Sequence, residues 1–178
     1  MTISLTPSVL AQHVVVKRML AMAQIGKGGV IFDLGCGDGR ILLSAVKECD
    51  AEQAVGYELR EDLYTGVIER IQNECLGERV AVFHDDVFNA DFSEATVIAL
   101  YLTTIGNRKV KAKFTQEARA GTRIVSHSFR IEGWLPPLQD SESDHPINVY
   151  TIPNSLKSET NTFRRSFEIN EFSNFLDY

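Results

Sequence analysis

Residues 30–40 read V-I-F-D-L-G-C-G-D-G-R, and no other stretch limits the fold as tightly. An apolar, β-branched run broken by a single acid meets three glycines at alternate positions, Gly35, Gly37 and Gly39. Such a run fits a strand covered on both faces, and the glycines supply the tight turn at its end. After Arg40 the period changes. Ile41, Leu42, Ala45, Val46 and Cys49 fall on one side of a helix of about three turns. Strand, glycine turn and helix together leave main chain open to a ligand, because glycine puts no Cβ in the way.

The spacing and the acids narrow the ligand. A dinucleotide fingerprint is G-x-G-x-x-G, which leads a pyrophosphate onto a helix N-terminus. Here the pattern is G-x-G-x-G, with Asp33 before the loop and Asp38 inside it, so an anionic ligand meets like charge. A cation suits the site better. A second strand over residues 54–59 carries Glu58, nineteen residues past Gly39, close to where a ribose-binding acid belongs. A third strand over residues 80–83 leads to H-D-D-V-F, with Asp86 at its far side.

These three segments, D-L-G-C-G-D-G-R, G-Y-E-L and H-D-D-V-F, resemble the S-adenosylmethionine pocket of the class I (Rossmann-like, seven-β-strand) methyltransferases. The resemblance implies that Asp33, Gly35, Cys36, Gly37, Asp38 and Gly39 hold the methionine end. It puts the ribose hydroxyls on Glu58 with Leu59 beside it, and the adenine between Asp86 and Val87. Any one of these acids alone reads as a solvated loop carboxylate. Three in order at successive strand ends make a pocket. The implied fold is α/β, a three-layer α-β-α sandwich on a mostly parallel seven-stranded sheet in the order 3-2-1-4-5-7-6, closed by an antiparallel terminal hairpin.

The 178 residues suffice for one domain with a full core, and a net charge of −6 speaks against a general nucleic-acid binder. Cys36, Cys49 and Cys75 have no metal-type spacing and read as buried free thiols in a reducing compartment. No metal site is expected. No apolar run approaches the ~18 residues of a membrane span and no signal-like leader is visible, so the expected location is cytoplasmic.

Residues 6–24 read as a helix, with Thr6 as cap and Pro7 at its first position. Within an N-terminal lid (residues 1–29), Leu5, Thr6 and Pro7 are candidates to cover the cofactor, and His13 reads as a surface side chain. Asp62, Leu63, Val67, Ile71 and Cys75 mark another helix, ending at Gly77. Residues 95–102 form a central strand that stops at Y-L-T-T, where an open α/β sheet has its ligand crevice. A helix over residues 107–120 turns Val110, Phe114 and Ala118 inward and carries Arg108, Lys109, Lys111 and Lys113 near its start. That cluster reads as a solvated face or as a contact for an acidic partner. Residues 135–138 and 147–152 make the hairpin, with an acidic turn through Asp140, Glu142 and Asp144. Residues 1–153 are expected to form the methyltransferase domain. Residues 154–162 read as a linker, and the apolar tail to residue 178 docks on its own domain or on a second subunit.

Many amino methyltransferases of this class carry Asn/Asp-Pro-Pro-Tyr/Phe after the fourth strand, and this chain does not. Its Y-L-T-T, S-H-S-F and G-W-L-P-P segments instead resemble archaeal seven-strand protein lysine methyltransferases and, more distantly, mitochondrial membrane-protein lysine methyltransferases. A protein substrate, methylated on the lysine ε-amino group, is what that resemblance implies. Such an amine has a pKa of about 10.4 and must lose its proton before it attacks, so an apolar channel beside a cation is expected. Tyr101, Phe129 and Trp134 are candidates for its wall, Thr103 and Ser128 for orienting the nitrogen, and His127 for a base or a structural hydrogen bond. The alternatives are an RNA or small-molecule methyltransferase with the same pocket, and a nucleotide-binding module without catalysis.

Overall fold

The structure is a computed structural model, and it describes residues 11–140 and 145–153. The elements alternate as the apolar runs predict. Helix α1 (His13–Met22) leads to strand β1 (Val30–Leu34), helix α2 (Arg40–Glu48), strand β2 (Gln53–Tyr57), helix α3 (Glu61–Asn73) and strand β3 (Val80–Phe83). Then follow β4 (Val97–Leu100), α4 (Thr104–Glu117), β5 (Arg123–His127), β6 (Leu138–Asp140) and β7 (Ile147–Thr151). One seven-stranded sheet results, in the order β3-β2-β1-β4-β5-β7-β6. Its first five members are parallel, and β7 runs antiparallel to both β5 and β6, the arrangement expected.

Two apolar layers lie on the two faces of this sheet. Val16, Met19 and Leu20 of α1, the buried side of α2, and Val67 and Ile71 of α3 pack on Ile31, Ala99, Val125 and Val149. Val110 and Phe114 of α4 pack on Phe32, Ile98, Ile124 and Tyr150. Alternation along each strand divides the two sets. Between β3 and β4 no α-helix forms, only a 3₁₀ turn over Val87–Asn89. Phe92 covers the sheet there, with ring centroids 5.8 Å from Phe32 and 5.5 Å from Phe114.

Several expectations are corrected. Helix α4 begins at Thr104 rather than at residue 107, because the Thr103 side chain accepts from the Gly106 N–H and caps it. The basic residues therefore sit beyond the first turn. Strand β6 begins at Leu138, where the hairpin strand was expected to end, since Pro136 and Pro137 have no N–H for a ladder. Asp140 is a buried strand residue paired with Arg18, not part of the turn. Cys75 lies past the end of α3 and is exposed, and Cys49 is half-buried at the end of α2, which leaves Cys36 as the one fully buried thiol. Leu5, Thr6, Pro7 and the tail from residue 154 lie outside the described residues. Among those described, no helix is long and apolar enough to cross a membrane.

Candidate functional site

The ends of the parallel strands are level. Leu34 pairs with Tyr57 and Leu100, Leu100 pairs with Ser126, and Tyr57 pairs with Phe83. The residues that follow these pairs, Gly35, Glu58, Tyr101 and His127, stand along one edge of the sheet. The glycine turn closes by hydrogen bonds from the Gly35 and Cys36 N–H groups to the Tyr57 carbonyl, 2.9 and 3.0 Å. Gly35, Gly37 and Gly39 all have positive φ, at 80°, 58° and 76°. Gly39 is also pressed by α3, for a Cβ there would collide with Val67 Cγ2. On β2, Gly56 does the same for Cys36, whose Sγ lies 2.8 Å from where a Cβ would stand. Gly56, the first residue of G-Y-E-L, has no role assigned by the resemblance, and a glycine inside an apolar strand is the sequence signal for such a close approach.

Asp33 is buried, 3% exposed, on the α1–α3 face. Burial, then the charges of Glu58 and Asp38, push its carboxyl up to about 8. Arg40 pairs with Asp38, but no described cation is among the influences on Asp33 itself. A cationic ligand at this turn supplies the missing charge, and on that ground a sulfonium nucleoside fits the residues present. Glu58 is also buried, and it accepts from the Gly37 N–H at 2.8 Å and from the Arg60 N–H at 2.9 Å, which ties the first strand end to the second.

Asp38 differs from what was expected of it. Arg40 donates to its carboxylate at 2.9 and 2.7 Å, and Arg70 of α3 binds its carbonyl at 2.8 Å. Burial works against its charge, but the Arg40 hydrogen bond and charge, with Arg70 behind, hold it below the usual carboxylate range. Its side chain fastens the loop. Arg40 also bonds the Ala11 carbonyl, so the chain entering α1 is joined to the same loop. At the third strand end, Asp86 caps the 3₁₀ turn by accepting from Phe88 N–H at 3.0 Å, and Val87 is buried beneath. Leu59 and Phe88, 58% and 39% exposed, stand next in the chain to Glu58 and Val87 as apolar surface that no described residue covers. Phe88 was not singled out from sequence, although an apolar residue after the third acid was its signal.

At the ends of β4 and β5, Tyr101 and His127 come together and Trp134 does not. The Tyr101 and His127 rings lie 4.2 Å apart, centroid to centroid, and the His145 ring lies 5.3 Å from that of His127. His127 is buried, and burial first, His145 second, push its pKa down to about 4. Neither ring nitrogen has a hydrogen-bond partner among the described residues. Trp134 is corrected from channel wall to core. Its ring packs 5.8 Å from that of Tyr150 in the layer under α4, across the sheet from Tyr101, with Lys111 Nζ 5.7 Å above it. Thr103 spends its oxygen on the helix cap, and Phe129 is held by its carbonyl, which accepts from Asn107 Nδ2 at 3.0 Å. Ser128, at φ 62°, donates its N–H to the Pro146 carbonyl at 2.7 Å and turns the chain out of the sheet.

A sheet in this order, with an acid-lined glycine turn on its first strand and further acids on its second and third, defines a class I methyltransferase. The model of the ANTKMT methyltransferase domain matches residues 33–138. A protein-lysine N-methyltransferase of Saccharolobus islandicus (strain REY15A) is 35% identical over 150 residues, covering 82% of this chain and 93% of that protein. An adenine nucleotide translocase lysine N-methyltransferase of Mus musculus is 26% identical over 130 residues, 73% of this chain and 56% of its own. Among solved structures, an RNA methyltransferase from Salinibacter ruber in complex with S-adenosyl-L-homocysteine superposes with a TM-score of 0.80 at 32% identity. It covers 86% of this chain and 99% of that one. The chain belongs to the ANTKMT methyltransferase domain family, within the S-adenosylmethionine-dependent enzymes of the seven-strand fold.

Proposed function

We infer that this enzyme transfers a methyl group from S-adenosylmethionine to the ε-amino group of lysine in proteins. The observation that carries the reading is the match to a protein-lysine N-methyltransferase along nearly the whole length of that relative. Asp33, Gly35, Cys36, Gly37 and Gly39 form the bed for the cofactor's methionine end, with Asp38 holding that bed through Arg40. Glu58 and Leu59 take the ribose side, and Asp86 and Val87 the adenine. The bound cofactor supplies a methyl group already activated on a sulfonium. What this chain adds is position and dryness. Asp33 and Glu58 meet the positive charge, and Tyr101 walls the approach so that the amine arrives neutral and in line.

A second reading, RNA as acceptor, is favoured by the likeness to the RNA methyltransferase of Salinibacter ruber. Against it, two of the four basic residues of α4 are engaged within the protein. Lys111 donates to the Glu132 carbonyl at 2.6 Å and covers Trp134, while Lys113 pairs with Glu117 at 2.6 Å and lies over Phe92. That leaves Arg108 and Lys109, thin support for a phosphate surface in a chain of net charge −6. Residues 1–153 are read as the catalytic domain with residues 154–178 as an appended tail, and the cytoplasm as the place of work.

The test is transfer of tritiated methyl from S-adenosylmethionine to lysate, split between nuclease and protease treatment. Label that survives nuclease and is recovered as methyllysine after hydrolysis is expected. Label lost with nuclease moves the acceptor to RNA and leaves the cofactor site as described.

A further inference from the structure

Two buried side chains on neighbouring strands leave both polar atoms without a partner among the described residues, His127 of β5 and Asn148 of β7. They lie on opposite faces. Asn148 is in register with Ser126, which Asn107 of α4 reaches, so it belongs under α4. His127 is in register with Ile147 and shares the face of Val125, Ala99 and Asp33, with the Tyr101 ring against it. Buried polar groups are almost always bonded, and one that is not calls for an explanation, a catalytic role among them.

The position of His127 says where its partner arrives. Gly35, Tyr101 and His127 each stand one residue beyond the paired ends of β1, β4 and β5. With adjacent strands about 4.8 Å apart, the His127 backbone lies about 10 Å from the glycine turn. Tyr101, partly exposed, stands between the two. Thr103, at the same strand end, has its oxygen committed to Gly106.

We propose that His127 orients the substrate amine, one imidazole nitrogen accepting an N–H from the neutral ε-amino group so that the nitrogen lone pair points at the methyl carbon. This rests on the lysine reading above. The ring is neutral at pH 7 and accepts without storing a proton. The lysine ammonium gives its proton to water as it leaves solvent. The lone pair then forms the N–C bond while the C–S bond breaks, its electron pair remaining on sulfur. The product departs as a methylammonium and exchanges its proton with solvent.

The test compares wild type, His127→Leu and His127→Gln in methyllysine formation on lysate protein, together with the Kd for S-adenosylhomocysteine and Tm. Leucine is expected to slow turnover about 10- to 100-fold. Glutamine, which keeps an acceptor, recovers part of that loss, and the Kd moves by less than about twofold. The leucine variant's Tm is unchanged or higher, because no bonded group has been removed. Lower Tm with turnover retained marks a structural histidine and overturns the proposal. So does a leucine variant that is fully active while wild type forms methyllysine, an outcome that leaves the lysine reading intact. Wild type that forms no methyllysine overturns that reading and this one with it. If His127→Leu does not fold, His127→Phe decides instead, a ring without an acceptor for which the same slowing is expected.

Discussion

Asp33 has its carboxyl pushed from an ordinary 3.8 to about 8 by burial and by two like charges, so at pH 7 it is mostly protonated in the free enzyme. Because the folded value lies above the unfolded one, its contribution to stability is complete below about pH 4 and is lost as pH rises through 8. A bound cation reverses the preference and expels the proton. Affinity for S-adenosylmethionine should therefore rise with pH up to about 8 and then level, with proton release visible by calorimetry in buffers of different ionisation enthalpy. Asp33→Asn should abolish that binding and its pH dependence, while raising the Tm of the free protein at pH 8 by about 4 °C or more. Both acids that shape this behaviour, Asp33 and Glu58, were legible from where the apolar runs stop. Asp38 was legible as an acid and not as a fastener, since one of its partners, Arg70, comes from the next helix. Trp134 misled for a similar reason, its packing partner Tyr150 being supplied by the last strand.

Helix α4 shows what an element's first residue controls. Thr103 caps it directly after the strand that presents Tyr101, so strand end and helix start share one turn. Thr103→Ala should cost about 1 kcal/mol and lower Tm by about 2–4 °C, with Thr103→Ser restoring it, as scanning calorimetry would register. In sequence Thr103 reads as a residue that orients the nitrogen rather than as a cap, and the expected start falls three residues too late. A second junction, between the glycine loop and α3, is tighter. Gly39→Ala meets both a left-handed backbone and Val67, and should lose about 3 kcal/mol or more in urea unfolding. Val67→Ala in the same chain should return only the part due to collision, because the backbone strain remains. The parallel strands were easy to read as near-continuous apolar runs. Strand β6 was not, because a three-residue edge strand after two prolines has little pattern of its own and is defined by Arg18 and by β7.

For the molecule as a whole, the sheet sorts the chemistry by face. Asp33, Tyr101 and His127 share the side of α1 to α3, while Asn107, Ser126 and Trp134 fill the side of α4 with packing and internal bonds. No periodicity reveals this, since a central strand buried on both sides looks apolar at every position. The face of each residue emerges only from register, and that is why the sequence could find the row of strand ends and still mistake which aromatics belong to it. The bond from Arg40 to the Ala11 carbonyl has a practical side. It moors residue 11 to the glycine loop proposed to bed the methyl donor, so a probe placed at the start of α1 would report on that loop rather than serve as a distant handle. Amide exchange at the start of α1 thus becomes a gauge of whether the donor is loaded.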